Sequence, residues 1–173
     1  VKKISHHSTI TNLFKDIDKG INCFDALTEK FSGDPFIWQQ KALFQLSFED
    51  FEGAKDSISQ ALNMNPNSHI FQNTQGTIYL KESLMQEDPV KAAYLRDQGK
   101  MILMQTARKY NSPFHYHSLA NKLISWYKTY PSERNQKLIE EIQDILSEAT
   151  RLYPSDSMII GEVGRFQEII PNV

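Results

Sequence analysis

Small residues follow larger ones at a spacing of four positions in four places along this chain. The pairs are Trp38 with Ala42, Gln72 with Gly76, Tyr116 with Ala120, and Ile160 with Gly164. Successive pairs are 34, 44 and 44 residues apart. Small residues that recur at such periods in helical stretches are typical of places where the helices of a repeated hairpin pack closely. The pattern therefore predicts an array of antiparallel helix pairs.

The spacing of apolar residues and of helix-breaking residues predicts eight helices and no strand. The predicted ranges are about 11–32, 35–46, 54–64, 68–84, 89–110, 113–130, 133–153 and 156–170. Gly33 is expected to end the first helix in a left-handed conformation. We expect one all-α helical domain over residues 11–170, with an N-terminal arm at 1–10 and a tail at 171–173.

A more specific motif lies between Pro35 and Pro66. Its residues are, in order, Trp38, Ala42, Phe51, Ala54, Ile58, Ala61 and Pro66. The motif resembles a tetratricopeptide repeat, in which small residues let helices approach closely and a proline ends the second helix. It departs from that pattern at Lys41, where a leucine is usual, and at Gln45, where an aromatic residue is usual. The resemblance implies a right-handed solenoid with two lengthened repeats, and an irregular helical bundle is the alternative.

The resemblance also implies a concave binding groove lined by the first helix of each pair. The inward side chains would be Gln39, Gln40, Leu43, Asn73, Thr74, Thr77, His117, Ser118 and Asn121. This set is neutral and rich in amides, so it lacks the cations that members of the family use to hold an acidic C-terminal tail. We expect hydrogen bonds to the backbone of an extended peptide. The alternative is that this face is solvated or packed internally.

The last predicted helix is apolar around about 200 degrees of its circumference, which is broader than the stripe of an ordinary surface helix. Terminal repeats of solenoids usually present a polar outer face. We therefore predict a terminal docking face for another protein or for a second copy, and its residues are Ile159, Val163, Phe166 and Ile170. The alternative is that these side chains fold back on the preceding hairpin.

Charge and cysteine content exclude several kinds of partner. The formal net charge is -2, and nucleic acid binding requires a clustered excess of lysine and arginine. Cys23 is the single cysteine, so the chain forms no internal disulfide. No apolar run has the length of a membrane span. We expect a cytoplasmic protein that binds neither nucleic acid nor membranes.

The sequence contains no complete catalytic, metal-binding or nucleotide-binding motif. His115 and His117 are two positions apart and so point to different sides of a helix, unlike the four-residue spacing that lets two histidines share a metal. His6 and His7 have no carboxylate or thiol near them in the sequence. We predict that the protein is not an enzyme and uses no cofactor or metal. An enzyme or small-molecule binder with His115, Tyr116 and His117 at a pocket mouth is the alternative.

These observations predict a protein interaction module that binds a protein or peptide through the groove, the last helix or both. The chain begins with Val1 and not with methionine, so we expect it to belong to a larger multidomain protein. One version of this hypothesis is the sensor or autoinhibitory repeat region of a bacterial signalling ATPase. A purely structural spacer is a further alternative, and it would bind no partner saturably.

Overall fold

A computed structural model of the chain describes residues 16–131 and 134–170, and their regular structure is helical throughout. The helices are α1 (Ile17–Lys30), α2 (Pro35–Ser47), α3 (Phe51–Met64), α4 (His69–Leu84), α5 (Pro89–Tyr110), α6 (Pro113–Thr129), α7 (Gln136–Leu152) and α8 (Ser157–Ile169). These elements confirm the predicted all-α class. The arm at 1–10 with His6 and His7, and the tail at 171–173, lie outside the described residues.

Short polar residues begin α2 and α8 where the sequence predicted them, whereas α3 begins at Phe51 after Asp50, and α7 begins at Gln136 after Asn135, three residues later than predicted. The Asp34 carboxylate accepts a hydrogen bond from the Phe36 N–H at 2.9 Å, and Pro35 occupies the first turn of α2. Asp156 accepts from Met158 and Ile159 at the start of α8. These bonds satisfy backbone donors that have no partner within the helix.

The prediction for Gly33 was wrong. Helix α1 ends at Lys30, because Phe31 leaves the helical conformation with φ -125° while its N–H still donates to Leu27. No glycine among the described residues has a positive φ. The carbonyl of Phe31 instead accepts from the N–H of Asp34, and this bond closes the turn into α2.

The chain divides into two compact units, residues 1–102 and 103–173, with the boundary inside α5. The sequence predicted one domain over 11–170, so this division is an added finding. In the first unit α2 packs against α1, α3 and α4, and α3 packs against α4. Its core consists of Ala42, Leu46, Ala54, Ile58, Ala61, Phe71 and Ile78.

Both departures from the repeat motif have structural partners in the first unit. Lys41 Nζ lies 2.7 Å from Asp25 Oδ1 and 5.3 Å from the centre of the Trp38 ring. Gln45 is buried, accepts a hydrogen bond from Ser57 Oγ at 2.6 Å and donates one to Asp50 Oδ2 at 3.0 Å. Gln45 therefore makes hydrogen bonds to the α2–α3 turn and to α3, at the position where the repeat motif usually has an aromatic residue.

Small residues allow α5 to approach α4 in the first unit. A Cβ atom added to Gly99 would lie 2.8 Å from the carbonyl oxygen of Gly76 and 2.9 Å from Cγ of Leu80. Gly76 is itself buried. Only a residue without a side chain fits this contact unless the backbone moves.

In the second unit α6 packs against α7 and α8, and α7 packs against α8. Its most buried apolar side chains are Leu103, Ala107, Tyr116, Leu119, Ala120, Leu123, Ile124, Ile142, Ala149 and Ile159. Gly164 does not mark a close helix contact as predicted, because no described atom lies within 4 Å of a Cβ atom added there. Its side of α8 is open.

Candidate functional site

The predicted groove residues of the first unit mostly bond to one another. Gln39 Nε2 donates to Thr74 Oγ1 at 3.1 Å, which joins α2 to α4, and Gln40 donates to Gln39. Gln39 and Thr74 are buried, whereas Gln40, Leu43, Asn73 and Thr77 are half-buried. The Thr77 hydroxyl donates to the backbone carbonyl of Asn73. The polar groups of Gln39, Thr74 and Thr77 thus already have partners within the protein.

The predicted groove residues of the second unit surround a buried carboxylate. Glu162 on α8 is 3% exposed. Its Oε1 accepts from Asn121 Nδ2 at 3.0 Å and lies 3.2 Å from His117 Nδ1. Arg165 Nη1 pairs with the same carboxylate at 2.8 Å. Helix α8 therefore covers the face of α6 that carries His117 and Asn121, and Ser118 is buried beside them.

Sequence reasoning missed Glu162. The sequence feature that could have revealed it is a single acidic residue on the apolar side of the last helix, between Ile159 and Phe166. A carboxylate at such a position is buried only when paired and hydrogen-bonded. It therefore predicts a donor on the facing helix, which the Asn121 amide of α6 supplies.

The predicted terminal docking face divides into an internal part and an accessible part. Ile159 and Phe166 are 1% and 6% exposed, so they belong to the core of the second unit. Val163 and Ile170 are half-buried. On the outer side of α8, Ile160 is 54% exposed.

A cleft of about 530 Å³ lies between α7 and α8. It is lined by Gln143, Leu146, Ser147, Thr150 and Arg151 from α7, and by Val163, Phe166, Gln167 and Ile170. Leu146, Val163, Phe166 and Ile170 provide an apolar surface, and the remaining residues are polar. Of these lining residues, Arg151 alone carries a charge. Such a cleft can bind apolar side chains and offers no acid or base for catalysis.

A polar network holds α7 against α6 behind this cleft. Glu148 accepts from Tyr116 OH at 2.8 Å and from Arg108 Nη2 at 2.8 Å. Burial raises the pKa of Tyr116 to about 12, and the hydrogen bond to Glu148 acts in the same direction. The Arg108 guanidinium in turn lowers the pKa of Glu148. These bonds fix the α7 wall of the cleft.

The histidines of the alternative pocket hypothesis do not lie at the mouth of this cleft. His115 and Tyr116 are almost fully buried, and His117 faces Glu162. Within residues 16–131 and 134–170, no cluster of three or more histidine, cysteine, aspartate or glutamate side chains could hold a metal ion. None of the described helices combines the length and hydropathy that a membrane span needs.

No protein-family model matches the chain, and no curated protein has significant sequence similarity to it.

Proposed function

We propose that this chain is a protein interaction module, and that its second unit binds the apolar side of a partner in the cleft between α7 and α8. The repeat-like motif at 35–66 and the helical hairpins support a solenoid of tetratricopeptide type. Solenoids of this kind bind other proteins on their surfaces. The cleft carries the proposal because it exposes apolar side chains to a partner.

The composition of the cleft resembles the centre of a protein interface. The half-buried Val163 and Ile170 supply the accessible apolar surface beside the buried Leu146 and Phe166, and Gln143, Gln167 and Arg151 supply a polar border. Interfaces commonly combine an apolar centre with a polar rim. Burial of an apolar side chain contributes about 1.5–3 kcal/mol, so two or three anchors would give measurable affinity.

The amide-rich groove is the weaker of the two predicted surfaces. Gln39 and Thr74 hydrogen-bond each other, and Asn121 hydrogen-bonds Glu162. A peptide that entered there would have to replace these bonds. Exchanging one hydrogen bond for another yields little net free energy.

This proposal can be tested by selecting peptides from a displayed random library. The NMR signals of the labelled protein that each peptide shifts then map its binding site. We expect selected peptides to shift the NMR signals of Gln143, Ser147 and Gln167. Val163→Glu should weaken their binding by about tenfold or more, because it places a charge in the apolar part of the cleft. Val90→Glu changes an exposed apolar residue of the first unit and serves as the matched control.

The pattern of signal changes separates the alternatives. Peptides that shift Asn73 and Thr77 instead would assign binding to the groove and contradict the proposal. A library that yields no ligand for the folded protein would also contradict it. Circular dichroism of Val163→Glu establishes that lost binding does not reflect lost structure.

A further inference from the structure

The burial pattern of α3 and α4 repeats in α7 and α8 at an offset of 88 residues. When α3 is compared with α7, Ile58 corresponds to Leu146 and Ala61 to Ala149, and all four residues are buried. When α4 is compared with α8, the corresponding buried pairs are Phe71 with Ile159, Thr74 with Glu162, and Ile78 with Phe166. Each of α4 and α8 therefore buries the same side in its own unit.

Gly76 and Leu80, which lie close to Gly99 of α5, are among the positions that break this correspondence. Gly76 and Leu80 are buried on α4, and a Cβ atom on Gly99 of α5 would contact both residues. Their counterparts on α8 are Gly164, which has open space beside it, and Glu168, which is exposed. Among the described residues, none covers the side of α8 that corresponds to the α5-covered side of α4.

We propose that this uncovered side of α8, together with the α7–α8 cleft, binds a single amphipathic α-helix of a partner protein in the way that α5 lies on α4. This inference rests on the proposed function and specifies its partner. The helix would place a glycine over Gly164, as Gly99 lies against Gly76. Its apolar residues would fill the space beside Val163 and Ile170.

Charge specifies the partner helix further. Glu168 occupies the position that Leu80 has on α4, so the partner helix needs a lysine or arginine where it meets this carboxylate. Arg151 lies on the opposite side of the cleft and favours an acidic residue there. Helix α5 itself has a related pattern, because Arg96 and Lys100 flank Gly99 in its sequence.

A labelled synthetic peptide with the sequence of residues 89–108 is therefore the probe, and fluorescence anisotropy with the whole chain is the measurement. Gly164→Leu should weaken binding by about tenfold or more, since a side chain would occupy the point of closest approach. The Gly99→Leu peptide should lose affinity similarly. Gly161→Leu is the matched control, because Gly161 has equally open space and its counterpart Asn73 is not buried. It should change affinity by less than about twofold.

The variants distinguish failure of this inference from failure of the proposed function. Peptide binding that is lost in Val163→Glu but unchanged in Gly164→Leu would retain the cleft and overturn the placement of the helix. Absence of peptide binding at millimolar protein would overturn the inference, whereas library ligands that map to the cleft would still support the proposed function. If the chain alone is a dimer that Gly164→Leu dissociates, a second copy occupies the site and the inference is wrong.

Discussion

Asn121 donates its side-chain amide to Glu162 at 3.0 Å, so a residue predicted to contact a partner instead contacts the last helix of its own unit. The bond joins α6 to α8 within a network that also contains His117 and Arg165. Because Glu162 is buried, this network holds α8 in place and so maintains one wall of the candidate cleft. The proposed binding in the cleft should therefore depend on the stability of the second unit through this carboxylate.

Glu162→Ala should lower the free energy of unfolding by about 1–3 kcal/mol, because Asn121 and Arg165 lose the buried acceptor that they share. Urea denaturation followed by circular dichroism measures the change. Glu168→Ala removes an exposed carboxylate from the same helix and should cost less than about 0.5 kcal/mol. Equal effects of the two substitutions would show that the buried network contributes nothing specific.

Alanine should have opposite effects at two helical glycines. Gly99→Ala should destabilise the protein by about 1–3 kcal/mol, because the added Cβ atom would meet the Gly76 carbonyl and Leu80. Gly161→Ala should stabilise it by up to about 1 kcal/mol, because alanine is the better helix former and no described atom obstructs it. Thermal and urea unfolding of both variants measures the signs. A stabilising Gly99→Ala substitution would contradict the close approach of α5 to α4.

The sequence allowed the helices to be predicted because their ends depend on local chemistry. Asp34 with Pro35, and Asp156, form caps whose donors and acceptors lie within a few residues. The environment of Gly164 could not be predicted in this way. Gly76 and Gly164 both follow a larger residue by four positions, yet only Gly76 is buried, because α5 packs close to Gly76 and no described helix packs against Gly164.

Part of the candidate site could be predicted, because apolar periodicity is a signal that is local in the sequence. The apolar periodicity of α8 drew attention to Val163 and Ile170, which line the cleft, but periodicity alone does not distinguish a core face from an accessible one. Ile159 and Phe166 belong to the same apolar side and are buried against neighbouring helices. Which side of a helix remains accessible depends on tertiary contacts that are distant in sequence.

Gln45 and Ser57 should show energetic coupling across the α2–α3 turn. Each of Gln45→Leu and Ser57→Ala removes the 2.6 Å hydrogen bond between them, so their effects on unfolding free energy should not add. We expect a coupling energy of about 0.5–2 kcal/mol in a double-mutant cycle. Ser59→Ala, which alters an exposed residue of the same helix, replaces Ser57→Ala in the control cycle and should show additivity with Gln45→Leu.

The hydroxyl of Tyr116 should make the protein sensitive to alkali. The folded state raises the pKa of Tyr116 from 10.0 to about 12, through burial and then through the hydrogen bond to Glu148. A raised pKa means that the stabilisation is complete below pH 10 and is lost as the pH rises to about 12. The corresponding loss in unfolding free energy is about 2 kcal/mol.

Tyr116→Phe removes this titration, so its unfolding free energy should fall less than that of the unmodified protein between pH 10 and about pH 12. At neutral pH the same variant should be less stable by about 1 kcal/mol, because Glu148 loses a hydrogen bond. Tyr94→Phe alters an exposed tyrosine and should retain the full alkaline loss. Parallel stability curves for Tyr116→Phe and the unmodified protein would show that the buried phenol does not control this response, because all other titrating groups are shared between them.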